Sequence, residues 1–293
     1  MSVVIRIDNL KKHFGSTKAV DGVTFEVKKG ESFGFLGPNG AGKTTTIRCL
    51  MDFIRPSAGK ITMFGLDARK DSVKLKHKIG YLSGNVKLYH KWTGSEHIKF
   101  VQDIRGKSKN VDELIQKLNF DPSIKFGSLS SGNKQKLGLI LALMNSPELL
   151  IMDEPTVGLD PLLQNTIYQI INELKTKGTT VLVSSHNLPE VEKICDRAGI
   201  IKQGKMVAVE NINELGQKRL HKIEVRFGGR YSKDDFKISG VENIQEVKDG
   251  LIFTVGADID EVIKQIAKHK ITDIEVTHAN LEDVFLRFYE KEL

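Results

Sequence analysis

The sequence predicts an α/β fold for its first two-thirds, followed by a small α+β domain. Short apolar runs alternate with helical patterns over residues 1–220, the order expected for parallel strands joined by helices. Residues from about 95 to 145 carry helical patterns alone, which predicts a helical subdomain inserted between the strands. After residue 220 the strand patterns resume and the charge balance changes, so residues 221–293 are predicted to form a small accessory domain.

The individual elements follow from the spacing of apolar residues. Short apolar runs bounded by turn residues are typical of strands, and apolar positions three and four apart are typical of helices. In the first domain this predicts strands at 3–7, 25–27, 32–36, 61–64, 79–82, 149–152 and 180–184, and helices at 43–53, 96–104, 111–118, 131–145 and 162–175. In the second it predicts strands at 222–227, 244–248, 251–255 and 271–277, and helices at 260–269 and 281–290.

The composition is that of an ordinary globular protein, with 28% charged and 40% hydrophobic residues among 293. No stretch approaches the roughly 20 apolar residues of a membrane span. The first six residues lack the charged start and long apolar stretch of a secretory signal. We therefore expect a cytoplasmic protein that meets a membrane only through a partner. Cys49 and Cys195 lie in separate apolar segments without metal-site spacing, which predicts buried free thiols.

The net charge of +7 is unevenly distributed along the chain. Residues 1–220 carry 33 Lys and Arg against 22 Asp and Glu, whereas residues 221–293 carry 11 against 15. A basic first domain suits a phosphate-rich ligand, a nucleic acid or an anionic membrane surface equally well. The charge alone leaves these three open.

A glycine-rich segment between a predicted strand and a predicted helix matches the phosphate-binding P-loop pattern. Three glycines let the backbone curl so that its N–H groups point at phosphate oxygens, and the helix N-terminus adds partial positive charge. Lys43 is expected to reach the β- and γ-phosphates, and the Thr44 hydroxyl to bind Mg²⁺. A glycine-rich turn that merely caps a helix is the simpler alternative. The candidate nucleotide-binding residues are Gly37, Pro38, Asn39, Gly40, Ala41, Gly42, Lys43, Thr44 and Thr45.

Two acids follow the apolar strand predicted at 149–152. Such a strand delivers its carboxylates to the carboxyl edge of the sheet, where ligands bind in α/β folds. Asp153 is the candidate Mg²⁺ ligand, and Glu154 the candidate general base for the attacking water. An Asp-Glu pair after a strand is commonly structural, but its place downstream of the phosphate loop favours the catalytic interpretation.

Together these segments resemble the ABC ATPase family over about residues 3–215. Residues 129–133, Leu-Ser-Ser-Gly-Asn, resemble the family's signature motif. In that family two nucleotide domains pack head to tail, and the signature of one covers the γ-phosphate held by the other. The resemblance thus implies a homodimer in which Ser130, Ser131 and Gly132 contact the partner's ATP. A Ser-Ser-Gly tract that only caps a helix is the simpler alternative.

The resemblance implies further site residues. His186, in Ser-Ser-His at the end of a predicted strand, corresponds to the switch histidine that contacts the γ-phosphate, and Phe14 to the aromatic residue that stacks on adenine. Residues 158–160, Gly-Leu-Asp, resemble the loop that touches the opposite subunit. With Lys43 and Glu154, His186 completes the predicted catalytic set.

Two positions depart from the family pattern. Gly84 stands where many relatives carry a glutamine that contacts metal and water, and the signature ends in Asn133 rather than glutamine. No metal ligand is assigned at Gly84; Asn85 or water is the candidate substitute. We hypothesise that hydrolysis is slower than in relatives or more dependent on a partner.

The resemblance implies a transport motor that uses ATP and Mg²⁺ and serves a separate integral membrane permease on the inner face of the cell membrane. Residues 281–286, Leu-Glu-Asp-Val-Phe-Leu, resemble the accessory domain of ATPases that serve drug, antibiotic and polymer exporters. A basic run near Gly84 suits a permease or anionic lipid, or a solvated face: Arg69, Lys70, Lys74, Lys76, Lys78, Lys87 and Lys91. The alternative is an ABC-type ATPase acting on ribosomes or nucleic acid. Its usual coiled coils or second nucleotide domain are absent from the sequence, so no nucleic-acid partner is expected.

Overall fold

The computed structural model describes residues 2–108, 110–212, 214, 221–256 and 259–278. The chain divides into two compact units, Met1–Val209 and Glu210–Leu293. The sequence-based boundary at residue 220 falls outside the described residues, as do the predicted helix 281–290 and the exporter-like segment 281–286.

The first unit alternates strands and helices. Its strands are β1 Val3–Phe14, β2 Thr17–Lys28, β3 Ser32–Leu36, β4 Ala58–Met63, β5 Leu66–Asp67, β6 Ile79–Leu82, β7 Leu149–Asp153, β8 Thr180–Ser185, β9 Arg197–Lys202 and β10 Lys205–Asn211, the last of which ends just beyond Val209. Its helices are α1 Lys43–Leu50, α2 Ser72–Lys78, α3 Gly94–Arg105, α4 Val111–Lys117, α5 Ser131–Leu143, α6 Pro161–Thr176 and α7 Leu188–Ile194. Among the described residues between β6 and β7 there are helices α3, α4 and α5 and no strand, apart from an isolated bridge between Thr93 and Lys125.

A six-stranded sheet in the order β10-β9-β3-β8-β7-β6 forms the centre of this unit. The strands from β9 to β6 in that order pair in parallel. Every residue of β3, β7 and β8 is buried. Strands covered on both faces lose the usual alternation of polar and apolar residues, which explains their apolar runs. The parallel arrangement aligns their carboxyl ends along one edge.

A second, antiparallel sheet in the order β2-β1-β4-β5 packs against the parallel one. Phe25 of β2 stacks on Phe33 of β3 with ring centroids 5.1 Å apart, and its centroid lies 5.2 Å from that of Phe35. All three rings belong to one buried core. Burying a ring of this size contributes about 1.5–3 kcal/mol to the stability of the folded state. This contact fixes the sheet that carries β1 against the strand that leads into the phosphate loop.

The structure differs from the predicted elements in identifiable ways. Strands β1 and β2 run for 12 residues each rather than five and three, because several register shifts break the alternation that the prediction relied on. Helix α1 ends at Leu50 instead of 53, since Asp52 adopts a left-handed conformation with φ of 54°. Elements α2, α7, β5, β9 and β10 were not predicted from the sequence. Helix α2 buries only Leu75 and so shows no apolar stripe, whereas α7 buries Leu188, Val191 and Ile194 at helical spacing, a signal that was available.

The second unit contains a four-stranded antiparallel sheet in the order β12-β13-β11-β14. Its elements are β11 His221–Phe227, β12 Val241–Val247, β13 Gly250–Val255, α8 Asp260–Ile266 and β14 Ile271–His278. Its own core centres on Phe236 and Phe253, whose ring centroids are 5.1 Å apart. In the described parts of both units, no helix is long and apolar enough to cross a membrane.

Cys49 and Cys195 are both buried and free, as predicted. Burial disfavours the thiolate, and it raises the pKa of the Cys49 thiol to about 11 and that of Cys195 to about 12. The thiolate is the reactive form of cysteine. Both side chains therefore serve as small apolar core residues.

We expect neither cysteine to react with a disulfide reagent in the native protein at pH 8, because less than about 1% of each thiol is ionised and both are shielded. Two thiols per chain should react rapidly after unfolding in guanidinium chloride. Absorbance of the released thiolate measures both rates. Rapid labelling of a thiol in the native protein would contradict this account.

Candidate active site

Three loops meet at the carboxyl edge of the parallel sheet. They follow β3, β7 and β8, and the strand register aligns them: Leu36 pairs with Ser185, and Asp153 pairs with Ser184. The polar residues at the ends of these strands are therefore neighbours, although they are far apart in the chain. This is the edge at which open α/β sheets bind ligands.

The phosphate loop owes two of its glycines to packing as well as to ligand access. A Cβ at Gly37 would lie 2.3 Å from the Ile201 carbonyl oxygen, and one at Gly42 would lie 2.5 Å from that of Ala19. Gly40 and Gly42 also have φ of 80° and 109°, in the left-handed region that favours glycine. Pro38, Asn39 and Gly40 are exposed, whereas Ala41, Gly42 and Lys43 are buried, and Thr44 and Thr45 are intermediate. Neighbouring strands thus hold the loop in its curled shape.

The Lys43 ammonium group lies inside the curl of the phosphate loop, with a side chain only 5% exposed. Its Nζ donates hydrogen bonds to the carbonyl oxygens of Gly37 at 2.5 Å and Pro38 at 3.1 Å. It also lies 3.0 Å from Glu154 Oε1. A buried ammonium needs such a counter-ion, because leaving it unpaired costs several kcal/mol. The candidate base and the candidate phosphate-binding lysine are therefore in direct contact.

The other oxygen of Glu154 contacts His186, with 2.6 Å between Oε2 and Nδ1. Glu154 adopts a left-handed backbone conformation with φ of 52°, and its N–H donates to the Ser184 carbonyl oxygen at 3.1 Å. Non-glycine residues adopt this conformation at an energetic cost, often at functional sites. The three predicted catalytic residues thus form one contact chain, Lys43–Glu154–His186.

Asp153 forms a second cluster beside this chain. Its buried Oδ1 accepts hydrogen bonds from the hydroxyls of Ser184 at 2.6 Å and Thr44 at 3.2 Å. A carboxylate and a hydroxyl this close form the kind of hard oxygen pair that suits Mg²⁺. Ser184 was not among the residues predicted from the sequence, although its position two residues before His186 was an available signal.

The remaining candidates lie apart from the contact chain. Phe14 is at the turn between β1 and β2, 51% exposed, with the Lys12 Nζ 4.7 Å from its ring centroid. Ser130 and Ser131 are exposed at the N-terminus of α5, where the Ser130 hydroxyl accepts a hydrogen bond from the Asn133 N–H at 3.3 Å. Gly132, in the first turn of α5, is partly buried. Within one chain the signature segment therefore acts as a helix cap.

The loop after β6 explains the glycine at position 84. A Cβ there would lie 2.6 Å from the Asp153 carbonyl oxygen and 3.3 Å from Glu154 Cβ. The loop backbone itself packs against the end of β7, so any side chain would displace it. Asn85 is exposed, and its carbonyl oxygen accepts a hydrogen bond from the Ser83 hydroxyl at 3.1 Å. Position 84 thus provides close backbone packing.

Comparisons with known proteins agree with this geometry. The profile of the ABC transporter family matches residues 20–157. The bacitracin transport ATP-binding protein of Bacillus licheniformis is 40% identical over 76% of this chain and 75% of its own length. Nod factor export ATP-binding protein I of Rhizobium sp. (strain N33) is 33% identical over 99% of this chain and 98% of its own.

A solved structure of an ATP-binding subunit of an ABC transporter superposes with a TM-score of 0.67 at 29% identity, covering 72% of this chain and 91% of that one. The fold is therefore the P-loop NTPase fold of ABC ATPases, as the sequence predicted. The chain belongs to the ABC transporter family. Within it, this protein is a nucleotide-binding subunit that hydrolyses ATP.

The contact between Lys43 and Glu154 predicts an effect on nucleotide affinity. Phosphate oxygens must replace the Glu154 carboxylate at Lys43 Nζ, so we expect Glu154→Gln to bind ADP roughly three- to tenfold more tightly, equivalent to about 1 kcal/mol. Isothermal titration calorimetry without divalent metal measures this directly. Glu148→Gln is the matched control, because it removes a carboxylate that pairs with Lys78 on the surface. Unchanged or weaker ADP binding by Glu154→Gln would show that the pair does not compete with phosphate.

Proposed function

We propose that this chain is the motor of an exporter and works as a homodimer with a separate integral membrane permease. The supporting observation is that the candidate residues fall into two sets that lie in different places. Lys43, Glu154 and His186 form one contact chain, whereas Ser130 and Ser131 are exposed on the helical subdomain and free to serve a second copy. The relatives named for bacitracin transport and Nod factor export support export as the output. Such a complex would place the chain at the inner face of the cell membrane.

The chain's own groups divide the chemistry of hydrolysis. The N–H groups of the phosphate loop and the Lys43 ammonium bind and orient the β- and γ-phosphates. Thr44 and Asp153 are the proposed ligands of Mg²⁺, which when bound neutralises charge on the phosphates. Glu154, once displaced from Lys43, accepts a proton from the attacking water. The oxygen of that water bonds to the γ-phosphorus as the bond between the γ-phosphorus and the oxygen of the leaving ADP breaks. His186 holds Glu154 through Nδ1 and leaves its other ring nitrogen for the phosphate.

Dimerisation completes this site. The signature segment lies at the N-terminus of the 13-residue helix α5, whose unpaired N–H groups and partial positive charge favour an anion. In a head-to-tail pair with two-fold symmetry, each signature faces the phosphate loop of the other copy, so two ATP molecules lie in the interface. ATP binding then holds the pair closed, and hydrolysis releases it.

Light scattering tests the composite site. We expect Glu154→Gln, which binds ATP without hydrolysing it, to form a dimer in MgATP but not in ADP. Adding Ser131→Asp should abolish that dimer, because it brings a carboxylate to the incoming γ-phosphate. Ser95→Asp is the matched control, since Ser95 is an exposed serine in the first turn of α3. A dimer that forms equally well with Ser131→Asp would exclude the signature from the site.

A cleft beside Gly84 is the proposed docking surface for the permease. It has a volume of about 410 Å³ and apolar walls that include Phe53, Leu88 and Val101. The charged residues that line it are Lys76, Lys87 and Arg105, and its lining includes no acidic residue. The Lys76 Nζ lies 5.4 Å from the centre of the Phe53 ring. These features fit an amphipathic permease segment that bears carboxylates.

Co-purification from detergent-solubilised membranes of the source cells tests this partner. We expect the tagged chain to capture a multi-spanning protein that raises its ATP turnover, and Lys76→Glu/Lys87→Glu to lose that capture while retaining basal turnover. Lys29→Glu/Lys177→Glu is the matched control, because these exposed lysines border a different cavity. Capture of ribosomes or nucleic acid alone would exclude the transport proposal. Turnover by the isolated subunit equal to that of its complex would contradict the predicted dependence on a partner.

A further inference from the structure

A buried carboxylate lies behind the catalytic contact chain and takes no direct part in it. Glu190 belongs to α7, the short helix after the switch loop, and is only 2% exposed. Carboxylates are almost never buried to this extent without compensating partners. Burial raises the pKa of Glu190, and hydrogen bonds from Ser185 and Thr156 act in the opposite direction. The cost of burying this group indicates that its contacts matter.

Two hydroxyl groups on two different loops bind this carboxylate. Thr156 Oγ1 donates to Oε1 at 2.7 Å, and Ser185 Oγ donates to Oε2 at 2.5 Å. Thr156 and Ser185 are themselves buried. Thr156 comes two residues after Glu154, and Ser185 directly precedes His186. The Glu190 carboxylate therefore joins the backbone segment that carries the candidate base to the segment that carries the switch histidine.

The loop after β7 is held from its other side by the signature helix. Gln135 of α5 donates from Nε2 to the Pro155 carbonyl oxygen at 3.0 Å, and it too is buried. Gln164 of α6 donates to the carbonyl oxygens of Thr156 and Leu159 at 3.4 and 3.2 Å. The two glutamines bind backbone carbonyl oxygens and so fix only the path of the loop after β7. The hydrogen bonds from Thr156 and Ser185 to Glu190 link that loop to the one that carries His186. That link depends on the side chain of Glu190.

We propose that Glu190 is a positioning residue for ATP hydrolysis. By accepting a hydrogen bond from Thr156 and another from Ser185, it holds the loops after β7 and β8 together so that Glu154 and His186 keep their 2.6 Å contact. This rests on the proposed catalytic roles of Glu154 and His186. Glu190 binds the hydroxyl of Ser185, whereas the phosphate loop binds its backbone, with the Gly37 N–H donating to the Ser185 carbonyl oxygen at 3.2 Å. The proposal therefore concerns the rate of the chemical step, and we expect nucleotide affinity to change little.

Steady-state kinetics separates positioning from a purely structural role. We expect Glu190→Leu, which fills similar space without accepting hydrogen bonds, to lower kcat at least about tenfold, because small displacements of reacting groups reduce rates strongly. Its affinity for ADP should stay within about twofold of the unsubstituted protein. Glu190→Gln keeps a side-chain oxygen and should retain kcat within about threefold. Glu192→Leu, on the same helix, is the control for a lost acidic side chain.

A double-mutant cycle tests the pathway of the effect. We expect Thr156→Val to lower kcat alone, but by less than about twofold when added to Glu190→Leu, because both changes remove the same hydrogen bond. Ser185→Ala gives the corresponding test on the other loop. Should Glu190→Leu fail to fold, Thr156→Val and Ser185→Ala keep the proposal testable, since each removes one hydroxyl from a folded chain.

These variants distinguish a failure of the proposed catalytic site from a failure of the proposed positioning role of Glu190. If Glu154→Gln and His186→Ala both retain full turnover, the proposed catalytic site is wrong. If those two lose turnover while Glu190→Leu and Thr156→Val keep kcat within twofold, the site stands and the positioning role is wrong. A Glu190→Leu variant that loses ADP affinity and kcat in equal measure, or a Glu190→Gln variant as slow as Glu190→Leu, would also overturn it.

Discussion

The architecture of the site depends on neutralising one buried positive charge. Lys43 must lie deep in the phosphate loop to reach a nucleotide, and at 5% exposure its ammonium group needs a counter-ion. Glu154 supplies it, and His186 in turn contacts the second oxygen of Glu154. Both carboxylate oxygens of the candidate base are therefore engaged by these two side chains. On the proposed mechanism, phosphate binding at Lys43 frees that carboxylate, so this one contact would link nucleotide binding to readiness for hydrolysis.

This arrangement requires the ends of β7 and β8 to be held rigidly. The Glu154 backbone has a left-handed conformation that is unfavourable for an unconstrained loop. The hydrogen bond from the Glu154 N–H to the Ser184 carbonyl oxygen holds it in that conformation. The Ser184 hydroxyl meanwhile orients Asp153. Gly84 lets another loop approach the Asp153 carbonyl oxygen, where any side chain would collide. The departure from the family pattern at this position is thus a packing feature of the same strand end.

Much of the fold was predictable from local patterns, and the failures have separate causes. Strands β3 and β6 begin and end where predicted, because each is a short apolar run between clear turn residues. The paired strands β1 and β2 were predicted to be too short, because the register shifts between them arise only when the two strands pair. Helix α7, which carries Glu190, was missed although its apolar residues Leu188, Val191 and Ile194 recur at helical spacing.

By itself the sequence determined the phosphate loop, the two acids and the signature segment, because each is a contiguous motif whose chemistry follows from residue type and local backbone. The same motifs also indicated the family to which the chain belongs. Only the tertiary structure decided that Glu154 pairs with Lys43, that Ser184 orients Asp153 and that Glu190 bridges Thr156 and Ser185. Apart from Glu190 and Ser185, which are five positions apart, these contacts join residues about 30 to 110 positions apart through the register of parallel strands. No local pattern encodes that register, since it is set by the packing of the whole sheet.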